Sequence, residues 1–277
     1  MLRLAVRVSP QHAELVLAEL LELAPSGVEE RTLPDGDVEY AVYGAPGELP
    51  ELPDLKAAAR DALVEISTEE IADDWSERWR EFHRALVIER RLTVRPPWEP
   101  PAQTAIDVVI DPGRAFGTGA HATTRLCLEA MLELVPGGPF VDLGCGSGVL
   151  AITAAKLGWS PVVALDFDPA AVEATTANAL RNGDRLECRR YDLRSDPVDV
   201  SIAPTVAANL LAPLLEQWAS RLHDGGRMPE RVIASGLLRR EGERVARAFA
   251  PLGLRETKRR TGGDWIAVVL EAQRISD

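Results

Sequence analysis

The stretch whose reading decides the fold is PFVDLGCGSGVLAITAAKLG, from Pro139 to Gly158. Val141 to Leu143 read as the end of a buried strand, residues 144 to 148 as a glycine turn, and Val149 to Leu157 as a helix. Glycines in such a turn carry no Cβ, so a ligand can approach the backbone closely. A dinucleotide fingerprint needs G-x-G-x-x-G, and its third glycine would fall on Val149, which disfavours nicotinamide and flavin cofactors. The G-x-G-x-G spacing of Gly144, Gly146 and Gly148 is what the chain carries instead. The bland alternative is a tight strand-to-helix turn that binds nothing.

The next strand weighs against that alternative. Val162 to Leu165 are apolar and deliver Asp166, twenty-two residues past Gly144. An acid at that spacing can accept hydrogen bonds from both hydroxyls of a ribose. Asp168 and Pro169 suit the N-cap and first turn of a helix that stops at Asn182 and Gly183. Strand, glycine turn, helix, strand and acid thus form one βαβ unit. With Asp142 ahead of the glycines, the pattern resembles that of S-adenosylmethionine-dependent methyltransferases.

At 277 residues the chain is long for one domain, and a main domain of about 200 residues with a smaller partner is expected. The balance of 31 basic and 43 acidic residues, net −12, disfavours nonspecific nucleic-acid binding and suits solubility or a basic protein partner. Cys127, Cys145 and Cys188 are odd in number and lack C-x-x-C spacing, which points to a reducing compartment and to neither a disulfide framework nor a zinc site. No apolar run approaches membrane length and no signal-peptide layout opens the chain. A cytoplasmic protein is expected.

From the N-terminus, Leu2 to Val8 alternate as a strand and Pro10 to Leu23 are periodic as a helix. Strand-like runs over Val28 to Leu33 and Val38 to Tyr43 flank a turn at Pro34, Asp35 and Gly36. A helix over Pro53 to Leu63 and a strand over Val64 to Thr68 complete the β-α-β-β-α-β order of a small ferredoxin-like α+β unit. Nothing in it reads as catalytic. Glu69 to His83 place Trp75, Trp79 and Phe82 on one helical face, which reads as a docked apolar stripe. LVIERRLTV is strand-like, and RPPWEPP, from Arg95 to Pro101, reads as a stiff connector. The expected division is residues 1–68 for the small domain, 69–101 for helix and connector, and 102–277 for the main domain.

Two further stretches invite a functional reading. In DPGRAFGTGAHATTRLCLEAML, Asp111 to Leu132, the glycines at 113, 117 and 119 and the aromatic Phe116 indicate an irregular loop. Thr123 or Thr124 can then cap the following helix. Such a loop over the carboxyl ends of the strands would cover a cofactor, or else be a plain surface loop. His121 has no partner at ligand spacing, so no metal site is expected. In TVAANLLAPLL, Val206 to Ala208 enter the core and Asn209 emerges at a strand end, either to meet the cofactor or to cap the helix begun by Pro213. Strand Val232 to Ser235, helix Glu241 to Ala250 and two strands hinged at Thr261 to Gly263 close the chain.

Taken together, DDWSERW, PPWEP, AFGTGAHATTRL, VDLGCGSGVLAI, VVALDFDPAAVEA and AANLLAPL resemble the bacterial methyltransferases of large-subunit ribosomal protein eleven, over almost the whole chain. The resemblance implies a Rossmann-like, seven-stranded class I methyltransferase domain of α/β type and S-adenosylmethionine as cofactor. It implies Thr124, Gly144, Gly146, Asp166 and Asn209 as cofactor contacts, and an N-terminal module that holds the ribosomal protein. The reaction implied is methylation of lysine side-chain or N-terminal amines, with no catalytic acid or base assigned, by a monomer that binds neither DNA nor membrane. SIAPT ahead of Asn209, Leu210 in place of the commoner isoleucine, and the lengthened RMPERV turn depart from the family pattern. The alternatives are a methyltransferase for another small protein and a non-catalytic ribosome-binding module. N-P-P-Y enzymes are disfavoured, because Leu210 and Leu211 follow Asn209.

Overall fold

The computed structural model describes residues 2–13, 16–17, 20, 28–44, 63–70, 84–111, 121–198, 202–225 and 228–273. Its contacts divide the chain into two compact units, Met1–Phe82 and His83–Asp277.

In the first unit, β1 (Leu2–Val8), β2 (Glu29–Thr32), β3 (Val38–Gly44) and β4 (Leu63–Glu70) form one sheet in the order β2-β3-β1-β4. All its pairs are antiparallel, as a ferredoxin-like unit requires. Alternation decides which face is dry. Leu4, Val6, Val8, Val38 and Tyr40 share a core with Ala13, Val16 and Leu20, which are helical and spaced three and four apart. Tyr40 donates from its hydroxyl to the Ala13 carbonyl at 2.9 Å, so the aromatic ring is buried with its polar end satisfied. β4 extends to Glu70, two residues beyond the strand end expected from sequence. The expected helix over residues 53–63 and most of the tryptophan helix lie outside the described residues.

The second unit opens with β5 (Leu86–Ile88), β6 (Leu92–Arg95) and β7 (Ile106–Val109), in that order in one small sheet. LVIERRLTV is therefore a hairpin and not a single strand. It turns at Glu89 and Arg90, both at positive φ (49° and 57°), and β5 and β6 pair antiparallel. RPPWEPP likewise lies inside this unit, where it carries the chain from β6 to β7. Arg95 is buried and folds the segment back. Its Nε and Nη2 donate to the Asp107 carboxylate at 2.8–3.1 Å, and its Nη1 donates to the Glu99 carbonyl at 2.7 Å.

The remaining elements, in chain order, are α1 (Ala122–Leu132), β8 (Phe140–Leu143), α2 (Val149–Leu157), β9 (Val162–Asp166), α3 (Pro169–Arg181) and β10 (Glu187–Arg190). After them come β11 (Thr205–Asn209), α4 (Ala212–Gly225), β12 (Arg231–Leu238), α5 (Gly242–Phe249), β13 (Leu254–Gly262) and β14 (Trp265–Ala272). The seven strands order as β10-β9-β8-β11-β12-β14-β13. β8 to β12 are parallel, and β14 runs antiparallel between β12 and β13. This is the doubly wound, seven-stranded α/β sheet expected from sequence. Its faces are dry on both sides, as a parallel sheet demands. Phe140, Ala207 and Ile233 pack on the side of α1, α2 and β5–β7, whereas Val141, Leu143, Val206, Ala208 and Val232 pack on the side of α4 and α5.

Candidate functional site

β8 lies between β9 and β11, and the connections leave it in opposite directions. The carboxyl ends of these strands therefore border the crevice at which doubly wound sheets bind ligands.

On the β9 side the site is built from backbone. Gly144 and Cys145 both donate their N–H to the Leu165 carbonyl, at 2.8 and 3.0 Å, which folds the glycine turn over the end of β9. Asp166 closes the turn from the other side. Its Oδ2 accepts the Gly146 N–H at 2.9 Å and its Oδ1 accepts the Asp168 N–H at 3.0 Å. The Phe167 N–H also bonds to this carboxylate, which leaves one of its roughly four acceptor sites for a further donor. Burial raises the Asp166 carboxyl above its ordinary 3.8, against the lowering effect of the Gly146, Asp168 and Phe167 N–H groups. Phe167, the next residue, is 66% exposed, and a bare aromatic face beside an acid is a ready stacking surface. Asp168 caps α3 through the Ala170 N–H at 2.9 Å, with Pro169 in the first turn, as its sequence indicates.

Asp142 supports the turn from below. Gly148 precedes α2 and has no side chain with which to cap it. Asp142 reaches across instead and accepts the Ala151 N–H at 3.0 Å, which places an acid at the positive end of the helix. Its Oδ1 has no hydrogen-bond partner among the described residues. Burial pushes the carboxyl up to about 7, Asp166 adds to the rise, and the Ala151 N–H opposes it.

The β11 side is built from long-range side-chain contacts. Asn209 ends β11, half-buried, and its Nδ2 donates to Thr124 Oγ1 at 3.2 Å. Thr124 is not the cap of α1, contrary to expectation. His121 is the cap: its Nδ1 lies 2.7 Å from Thr123 Oγ1 and accepts the Thr123 N–H, while the two threonines are buried within the first turn. Burial lowers the His121 imidazole below its ordinary 6.5, and the ring stands edge-on to Trp265 at 5.1 Å. The glycine-rich residues 112–120, Phe116 among them, lie outside the described residues. Their root is held by Asn178 of α3. Its Oδ1 accepts the Asp111 N–H at 2.9 Å and its Nδ2 donates to the Ser147 carbonyl at 3.0 Å.

Thr124, Gly144, Gly146, Asp166 and Asn209 thus fall into two clusters at one end of one sheet. Leu210 joins them. A Cβ on Gly144, whose φ is +79°, would lie 2.5 Å from Leu210 Cδ2. A neighbouring side chain, rather than a ligand, fills the space where that glycine lacks a Cβ. Sequence reasoning noted Leu210 only as a departure from the family pattern and passed over Asn178 and Phe167. Only Phe167 carried a signal, as a large aromatic directly after the acid.

The sequence model of the family described as Ribosomal protein L11 methyltransferase (PrmA) matches residues 49–273. The chain belongs to the ribosomal protein L11 methyltransferase family. A relative of that name from Symbiobacterium thermophilum is 37% identical over 263 residues, covering 91% of this chain and 84% of the relative. Another, from Syntrophotalea carbinolica, is 36% identical and covers 95% of each chain. The crystal structure of ribosomal protein L11 methylase from Lactobacillus delbrueckii subsp. bulgaricus superposes with a TM-score of 0.59 at 27% identity, over 69% of this chain and all of that one. As a member of this family the chain is an S-adenosylmethionine-dependent protein methyltransferase with the Rossmann-like fold. The residues fit that cofactor. Asp166 has capacity for a ribose hydroxyl at the end of β9. Among the described residues no helix is long and apolar enough to cross a membrane.

Proposed function

We propose that this chain methylates lysine side-chain or N-terminal amines of the large-subunit ribosomal protein L11, with the five residues of the two clusters as cofactor contacts. The observation that carries the reading is that the Gly146–Asp166 hydrogen bond and the Asn209–Thr124 hydrogen bond stand at the carboxyl ends of β9 and β11, the two strands that flank β8. In this reading Gly144, Gly146 and Asp166 would hold S-adenosylmethionine by its ribose and methionine parts, and the exposed ring of Phe167 would offer a stacking surface to its base. Thr124 and Asn209 would contact the cofactor from the β11 side, and Asn209 would orient the incoming amine.

The cofactor supplies a methyl group already activated by its sulfonium, so the protein's work is alignment and exclusion of water. The amine must arrive neutral. A lysine, whose free pKa is about 10.4, loses its proton more readily in a desolvated pocket. No side chain is assigned as catalytic base. The N-terminal module grips the ribosomal protein, and the enzyme acts as a cytoplasmic monomer.

The test is a labelled-methyl assay with purified ribosomal protein L11, on the full chain and on residues 83–277. Label in the ribosomal protein with the full chain is expected. Loss of that label from the shorter form, with cofactor binding kept, is expected if the module recognises the substrate. Absence of label with the full chain and saturating cofactor would overturn the reading.

A further inference from the structure

β12 breaks its ladder with β14 between Ala234 and Leu237, and the residues in the break are Ser235 and Gly236. Ser235 is fully buried. Its hydroxyl lies 3.1 Å from the Thr123 carbonyl and 3.0 Å from the Ile266 carbonyl, and its own carbonyl accepts the Leu210 N–H at 3.0 Å. The bulge is therefore tied to α1, to β14 and to the chain leaving β11.

Gly236 has φ +81°, and a Cβ there would lie 2.5, 2.8 and 3.1 Å from the O, C and N of Leu210. All three are backbone atoms. On its other side Leu210 presents Cδ2 and Cγ at 2.5 and 3.3 Å from where a Gly144 Cβ would stand. One residue is thus seated between two glycines, with its side chain against the cofactor turn and its backbone against the bulge. Asn209 immediately precedes it.

We propose that Leu210 is a spacer that sets the distance between the glycine turn and Asn209, and that Gly236 is a positioning residue for methyl transfer acting through the Leu210 backbone. This rests on the reading of Asn209 as the residue that faces the acceptor amine. A side chain at 236 pushes the backbone of 210, and with it Asn209, while Asp166 and the turn stay in place. A misplacement of about 1 Å in a reacting pair costs up to about 100-fold in rate.

The two contacts differ in kind, and the test uses that difference. The full-length chain is prepared as Gly236→Ala, Leu210→Ala, Gly144→Ala, and the two doubles with Leu210→Ala. Each is assayed for single-turnover methylation at saturating cofactor, for cofactor Kd by calorimetry and for melting. Gly236→Ala is expected to lower the rate about 10-fold or more with the cofactor Kd within about threefold. Leu210→Ala leaves that loss in place, because every residue at 210 keeps the backbone atoms that clash. Leu210→Ala is expected to restore part of the cofactor affinity lost in Gly144→Ala, where the clash is with a side chain.

A wild-type rate for Gly236→Ala overturns the proposal, as does restoration of both variants or of neither by Leu210→Ala. Should Gly236→Ala not fold, Leu210→Ala alone decides: a rate several-fold lower with a near-normal Kd supports the spacer, and an unchanged rate overturns it. Asp166→Ala in the same calorimeter separates the two levels of the argument. Unchanged cofactor affinity there overturns the assignment of the site itself, whereas weakened affinity alongside an unaffected Gly236→Ala overturns the spacer alone.

Discussion

The two halves of the site differ in the length of chain that builds them. The Gly144–Asp166 half is assembled within one βαβ unit, by backbone N–H groups, at separations of about twenty residues. The Asn209 half is assembled from residues 85 and 112 positions apart, through Asn209 to Thr124 and Ser235 to Thr123. Backbone donors in a turn are aimed by local φ and ψ, so the first half is stiff by construction. The second depends on α1, β11 and β12 all being docked, so it is the half at which the geometry of transfer can be adjusted without unmaking the cofactor site.

The most severe expected effect falls on the stiff half. Gly144→Val forces a branched side chain into left-handed backbone and into Leu210 Cδ2. The thermal shift produced by S-adenosylmethionine is expected to vanish, and a folded variant that keeps the full shift would remove Gly144 from the site.

Asn209→Ala tests the adjustable half. If Asn209 aligns the amine as proposed, its loss is expected to lower the single-turnover rate by about 10- to 100-fold, with a smaller effect on cofactor affinity. Equal losses in rate and affinity would erase the distinction between the halves.

Asp166→Ala returns to the first half with a smaller effect. On the proposed reading, removing the acceptor of the Gly146 N–H and of a ribose hydroxyl is expected to weaken cofactor binding by about 1–3 kcal/mol. Calorimetric titration reads it directly.

Asp142→Asn bears on the support beneath the turn. A carboxyl raised from 3.8 to about 7 in the folded chain stays protonated there while the unfolded chain is already ionised. Its contribution to stability is therefore fullest below about pH 4, falls as pH rises towards about 7, and is level above that. Asparagine keeps an oxygen for the Ala151 N–H and does not titrate. The melting temperature of the variant relative to wild type is expected to rise between pH 4 and pH 7; a difference independent of pH would mean that Asp142 is not held in its neutral form.

The periodicity of the chain was a sound guide wherever an element buries one face. The strands ending at Leu143 and Asp166, the cap at Asp168 and the closing hairpin at Gly263 all stand where their residues indicate. It failed where a segment's conformation depends on a distant partner. RPPWEPP reads as a rod because proline is stiff, yet Arg95 folds it back by reaching Asp107 and the Glu99 carbonyl. LVIERRLTV reads as one strand because nothing in Glu89 or Arg90 announces left-handed backbone. The threonines at 123 and 124 are good caps in isolation, but the preceding histidine takes that position and they are buried inside the turn.

By itself, then, the sequence determined the class of sheet, the glycine turn and the acid that closes it, because these rest on glycine at the turn, on two-fold and 3.6-fold periodicity and on hydrogen bonds to nearby backbone. Tertiary structure alone decided what a side chain at Gly144 or Gly236 would meet, beyond the left-handed backbone that already favours glycine at both. The atoms that exclude a side chain at both positions belong to Leu210, which is 66 residues from the one and 26 from the other along the chain, and no local pattern records a contact that exists only once β8, β11 and β12 lie side by side.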